Sequence, residues 1–189
     1  MTLDWMMTYT GVVYRPFAPK AEDIRIADIA HALSMICRYG GHVRWFYSVA
    51  EHSVLVSKMV PREYALEALL HDAAEAYVGD MIIPMKRHWC LTEFKRIEKL
   101  NDLTMRIKFG LPHVESAVVT QADTDIREIE WATLMMPTPP EMGCYWDAEG
   151  TRNPLVRLEL WSPTLAEHKF LERYRELTQE AKSHERVCD

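Results

Sequence analysis

Imidazole and carboxylate groups set inside apolar, helix-forming runs constrain this chain more than any other feature. The segments read Ser-Val-Ala-Glu-His52-Ser, Ala-Leu-Leu-His71-Asp72-Ala-Ala-Glu75 and Gln-Ala-Asp123-Thr. Burying such groups costs several kcal/mol unless each finds a charge partner or a metal. A fold that takes these runs into its interior must therefore bring the polar groups together. Two imidazole nitrogens and two carboxylate oxygens from His52, His71, Asp72 and Asp123, converging from separate helices, suit one divalent transition ion such as Co2+, Mn2+, Zn2+ or Ni2+. Such a set leaves coordination positions for water, as a catalytic metal requires. The plainer alternative for any single member is a polar residue at a helix edge.

Apolar periodicity predicts helices over residues 24–35, 49–59, 63–77, 92–109 and 114–135. Tyr39-Gly40-Gly41 stops the first, Pro61 closes the second, Gly79 ends the third and Gly110 with Pro112 ends the fourth. Residues 80–84 read as a loop. The fourth helix carries Phe94, Ile97, Leu100, Leu103 and Ile107 at helical spacing. Residues 1–20 read as an irregular or short extended lead-in. Residues 136–162, rich in Pro and Gly, read as a long excursion with a short extended piece at 155–160. A last helix starts at Ser162-Pro163, with Thr164-x-x-Glu167 as a capping-box pattern. No strand alternation is strong enough for a sheet. The expected fold is all-α, a compact single-domain helical bundle over 1–189 with its motif-bearing core at about 24–135.

A chain of 189 residues has room for one sizeable core. Its net charge of −6 gives no positive field for a nucleic-acid polymer or an anionic membrane. The basic cluster Lys86-Arg87-His88 is local. Cys37, Cys90, Cys144 and Cys188 are far apart, which excludes a cysteine zinc site and predicts reduced thiols. The N-terminus lacks the pattern of a signal peptide, and no run reaches the roughly 18 apolar residues of a membrane span. A cytoplasmic location follows, that of the host cell for a phage-encoded chain. A homo-oligomer is compatible with the sequence.

The ordered pattern His52…His71-Asp72…Asp123 resembles the HD-domain metal-dependent phosphohydrolases. Val49-Ala50-Glu51-His52-Ser53, His71-Asp72-Ala73-Ala74-Glu75 and Gly79-Asp80-Met81-Ile82-Ile83-Pro84-Met85-Lys86 are similar to stretches of bacterial 5′-deoxynucleotidases and of short phage and bacterial enzymes that hydrolyse deoxynucleoside triphosphates, dATP among them. The resemblance implies an HD-type bundle holding one divalent ion, with Mg2+ an optional companion of the substrate phosphates. It implies that Glu75, one turn beyond His71, positions or deprotonates the attacking water or protonates the leaving oxygen. A solvated helix glutamate is the alternative. It implies that Arg38 clamps phosphate, that Asp80 touches the sugar 3′-hydroxyl, and that Tyr39 stands where the deoxynucleotidases carry tryptophan beside sugar or base. His42 follows the Gly-Gly turn as a pocket-lining candidate. Lys86, and more weakly Arg87, could take the outer phosphates, against the alternative of a solvated charge run.

Among other residues, His31 reads as a satisfied core histidine, and Trp45-Phe46-Tyr47 as core packing. The functional expectation is hydrolysis at the α-phosphate of deoxynucleotides, with a slight preference for triphosphates drawn from the Lys86-Arg87 pair. A 5′-deoxynucleotidase acting on monophosphates is the first alternative. A non-catalytic nucleotide sensor and a signalling-nucleotide phosphodiesterase are the others.

Overall fold

Every residue from Val49 to Ser57 is buried, which makes helix α2 (Val49–Met59) the axis of the fold. The computed structural model describes residues 4–135 and 157–185. Within them the protein is an all-α bundle with one small hairpin. Helix α1 (Ile26–Met35), α3 (Ala65–Leu70), α7 (Ala117–Leu134) and α8 (Pro163–Glu185) all pack on α2. A helix surrounded on every side must be apolar nearly all round, and Val49, Ala50, Val54, Leu55 and Val56 meet that need. Its buried serines turn their hydroxyls onto the helix itself, Ser53 to the Val49 carbonyl and Ser57 to the Val54 carbonyl.

Two apolar clusters flank this axis. One joins Ile29 and Leu33 of α1, Leu69 and Leu70 of α3, and Phe170 of α8. The other joins Leu55 and Val56 to Val119, Ile126 and Leu134 of α7. Local signals fix the ends of α2. The Ser48 hydroxyl accepts the Glu51 N–H at 3.1 Å as an N-cap, and Pro61 stands just beyond the far end.

The helix expected over 63–77 is broken. After a 3-10 turn at Arg62–Tyr64 and helix α3, the segment from His71 to Ala74 turns without a regular α pattern, and helix α4 covers only Glu75–Val78. Amides of Ala73, Glu75, Ala76 and Tyr77 reach back three residues rather than four. Tightening of this kind within a helix commonly marks a functional segment. Part of the expected 80–84 loop is helical, because α5 runs Ile83–Arg87 with Pro84 in its first turn.

Helix α6 has the expected bounds, Thr92–Phe109, and Gly110 takes a left-handed C-cap with φ 65°. Its buried face, however, is Asn101, Met105 and Arg106, while Leu100, Leu103 and Ile107 are exposed. Asn101 accepts the Tyr14 hydroxyl and donates to the Pro16 carbonyl. Arg106 bonds Glu67, Asp102 and the Pro112 carbonyl. Polar anchoring, not the apolar stripe, decides how α6 is rotated. Helix α7 starts at Ala117 rather than at 114, since both the N–H and the hydroxyl of Ser116 are held by the Glu67 carboxylate.

The lead-in contains a two-residue antiparallel pair, Met6–Met7 with Val13–Tyr14, which the lack of alternation had not suggested. Residues 136–156 of the expected excursion lie outside the described residues. The described part, 157–160, has no strand pairing. Instead the backbone N–H groups of Glu159, Leu160 and Trp161 all donate to the buried Glu51 carboxylate. Leu160 sits there at φ 59°, so successive amides wrap the anion as a nest. The Ser162 hydroxyl then caps α8 through the Leu165 N–H, and Glu167 turns to His31 instead of completing a capping box. His31 also stacks on Tyr9. Tyr47 is buried, whereas Trp45 and Phe46 are exposed, so the aromatic trio is not one core unit. Cys37 and Cys90 are free. Among the described residues no helix is long and apolar enough to cross a membrane.

Candidate metal centre and its surroundings

The turn after α3 brings His71 and Asp72 to the flank of α2, where His52 is fully buried. The Nε2 atoms of His52 and His71 lie 3.2 Å apart. Asp72 Oδ2 is 3.3 Å from His71 Nε2 and 3.6 Å from His52 Nε2. From α7, Asp123 Oδ1 reaches to 3.3 Å from His52 Nε2 and 4.0 Å from His71 Nε2. His52, His71 and Asp72 offer ligand atoms all within 4.8 Å of one another, and Asp123 joins through the two histidines. The structure thus brings together all four residues read from the sequence as ligands.

The far side of each ring fixes what the near side can do. His71 Nδ1 lies 2.8 Å from the Ala68 carbonyl, an acceptor only, so the proton belongs on Nδ1. His52 Nδ1 lies 2.6 Å from Glu130 Oε1 in the same way. With both Nδ1–H groups donating outward, both Nε2 lone pairs point at one place. Neutral rings could not donate to each other there; against burial, Asp72 and Asp123 push His71 up to about 10, a proton that a bound cation would replace. Two lone pairs facing each other beside two carboxylates suit a bound cation, and the hydrogen bonds behind them are the kind that orient metal-binding histidines.

Glu130 is the residue that the sequence did not reveal. It is completely buried, and its Oε2 accepts from Arg38 Nη2 at 3.1 Å, Arg38 Nε at 3.2 Å and the Tyr39 hydroxyl at 2.7 Å. Burial alone would push its carboxyl up, but Arg38 and His52 hold it down at about 2. One anion therefore orients a ligand histidine, an arginine and a tyrosine together. The available signal was its place two turns after Asp123 on the same face of α7. Arg127, one turn after Asp123, also pairs with the Asp123 carboxylate.

Arg38 is buried, with Nη1 3.5 Å from Asp72 Oδ2. Tyr39 has left-handed φ 57° and ψ 29°, followed by Gly40 and Gly41 at φ 62° and 79°. A left-handed non-glycine costs roughly 1–2 kcal/mol, and the hydrogen bond to Glu130 offsets it. The Tyr39 hydroxyl is thus engaged with protein, which departs from a role at sugar or base. His42 is exposed beyond the same turn.

Glu75 stands close by with an uncommon environment. One oxygen accepts from Lys86 Nζ at 3.0 Å, and the other, Oε2, is buried with no partner among the described residues. Burial first, then the charges of Asp72 and Asp80, pushes its carboxyl well above the usual range. Asp80 is partly buried and shifted the same way, again by burial first. Asp72 and Asp123 shift the opposite way: burial opposes it, but the contacts with His71 on Asp72 and with His52 on Asp123 hold both carboxyls down, Arg38 adding to the effect on Asp72. Lys86 is half-buried and doubly paired, for its ammonium also lies 2.8 Å from Glu98 of α6. Arg87 is exposed.

No family model matches the chain. It is 38% identical over 179 residues to the uncharacterized protein YfdR of Escherichia coli, a match covering 94% of this chain and 97% of that protein. It is 35% identical over 127 residues to an uncharacterized protein of Rhodobacter capsulatus, covering 62% of this chain and 64% of the relative.

Proposed function

The chain belongs to the family of Escherichia coli YfdR, and we propose that it is an HD-type metal-dependent phosphohydrolase that cleaves nucleotides at the α-phosphorus. The observation that carries this reading is the pair of Nε2 atoms 3.2 Å apart, each with its opposite nitrogen committed to an acceptor. His52, His71, Asp72 and Asp123 would hold the ion. A divalent ion bound there supplies Lewis-acid polarisation of a phosphoryl oxygen and makes an attacking water more acidic.

The remaining chemistry belongs to the protein. Glu75, unpartnered at Oε2, takes the proton of the water as its oxygen forms the new bond to phosphorus. The bond from phosphorus to the sugar oxygen breaks, and that oxygen leaves with a proton as the nucleoside. Arg38 has its Nε and Nη2 edge committed to Glu130, which aims Nη1 toward the phosphate beside Asp72. A fixed cation at that point stabilises charge that develops on the phosphoryl oxygens. Asp80, partly buried in the loop after α4, is the candidate partner for the sugar hydroxyl.

The phosphate count now leans toward monophosphates. The case for longer tails rested on Lys86 and Arg87, and Lys86 is engaged by Glu75 and Glu98. A panel of deoxynucleoside mono- and triphosphates with Mn2+ or Co2+, read for nucleoside, phosphate and tripolyphosphate, tests the proposal. Release of nucleoside from the monophosphates supports it. A metal-loaded protein that binds nucleotides and turns over none of them would make it a sensor.

A further inference from the structure

Lys86 projects from the short helix α5 into a gap between two carboxylates. Its Nζ lies 3.0 Å from Glu75 Oε1 and 2.8 Å from Glu98 Oε1, and Glu98 belongs to α6. Three helices, α4, α5 and α6, thus meet at one half-buried ammonium. The contact on Glu75 is one-sided, for Oε1 is held and Oε2 is buried without a partner among the described residues. A buried, unpaired carboxylate oxygen is costly unless it has work to do. We propose that Lys86, braced by Glu98, is a positioning residue that fixes the rotamer of Glu75 and turns its free oxygen toward the reacting water.

This inference rests on the phosphohydrolase reading for its purpose, but its geometry stands apart from it. The groups that act on Glu75 are Asp72 from the turn after α3, Asp80 from the loop after α4, Lys86 from α5 and Arg38 from the turn after α1. Lys86 is the cation in hydrogen-bond contact. Glu98 contributes by preventing Lys86 from swinging into solvent, since a single surface ion pair holds a lysine weakly.

The test uses the full chain loaded with Mn2+ and compares wild type with Lys86→Met, Lys86→Gln and Lys86→Arg. Both neutral variants should keep the metal and the wild-type KM, with kcat lowered by about tenfold or more for monophosphates and triphosphates alike, as for a general base set out of place, and Lys86→Arg should recover most of it. A crystal structure of Lys86→Met should show Glu75 turned from its wild-type rotamer. An unchanged kcat with Glu75 in place in both neutral variants would overturn the proposal. A loss confined to triphosphates would also overturn it, in favour of a contact with the outer phosphates. Wild-type protein that hydrolyses no nucleotide would end the phosphohydrolase reading, while the Glu75 rotamer in Lys86→Met would still decide the role of Lys86.

Discussion

Glu130 Oε1 lies 2.6 Å from His52 Nδ1, and its second oxygen binds Arg38 and Tyr39. The residue that fixes the orientation of one proposed ligand therefore also fixes the proposed phosphate clamp. Removing it should disturb both at once. Glu130→Gln keeps the shape but loses the anion, so metal affinity should fall by about 10–100-fold, as for other groups that orient ligand histidines. Glu130→Ala also leaves buried Arg38 with only the longer Asp72 contact and should destabilise the fold by about 3–5 kcal/mol. Competitive titration with a Mn2+-sensitive dye measures the first effect and urea denaturation the second. Wild-type affinity in Glu130→Gln would show that the contact does not orient a ligand.

Asp72→Ala tests the centre itself. Asp72 Oδ2 lies within 4 Å of both His Nε2 atoms and of Arg38 Nη1. Its loss should remove most of the bound divalent ion, measured by elemental analysis after dialysis against trace metal. Full retention would place the ion elsewhere or show that none binds.

The parts of this arrangement that were legible in the sequence are those with local causes. Helix α2 has the expected bounds because Ser48 caps it and Pro61 follows it, and α6 because Gly110 can take φ 65°. The four ligand candidates meet because polar groups inside apolar runs have few alternatives. What escaped depends on distant partners. The break at His71–Ala74 accompanies the engagement of His71 Nδ1 with the Ala68 carbonyl, which no periodicity encodes. Glu130 looks like any helix glutamate until Arg38, Tyr39 and His52 surround it. Lys86 reads as a solvated cation until α6 supplies Glu98. The stripe on α6 showed that an apolar face exists, yet Asn101 and Arg106 determine which face is buried.

Glu75→Gln should keep the metal and lose turnover by about 10²–10⁴-fold, the usual contribution of a general acid or base. The pH profile gives a second reading. Burial, Asp72 and Asp80 raise the carboxyl above its usual value. A base with a raised pKa is ionised only above that value, so activity should fall as pH drops through it. The acid limb should therefore lie well above the ordinary glutamate range of about 4.3 and vanish in Glu75→Gln. A variant with normal kcat and an unchanged limb would leave Glu75 with a structural role.

Glu51 provides a test of the fold that is independent of catalysis. Its Oε1 accepts the amides of Glu159 and Leu160 at 2.8 and 2.9 Å, and Oε2 accepts that of Trp161 at 2.7 Å. These bonds join the centre of α2 to the segment that leads into α8, and they hold Leu160 in its left-handed conformation. Glu51→Ala leaves three amides to find other acceptors. At about 1–3 kcal/mol for a buried donor left unsatisfied, the buried Trp161 amide sets the loss, since the part-buried Glu159 and Leu160 amides can turn to water. Glu51→Gln should fall between, since the amide oxygen can replace Oε1 while the NH2 group faces the Trp161 N–H. Urea midpoints ordered wild type, Gln, Ala, with unchanged slopes, are the expected result. An Ala variant as stable as wild type would show that α8 is held by its apolar face alone, through Ala166, Phe170 and Leu177.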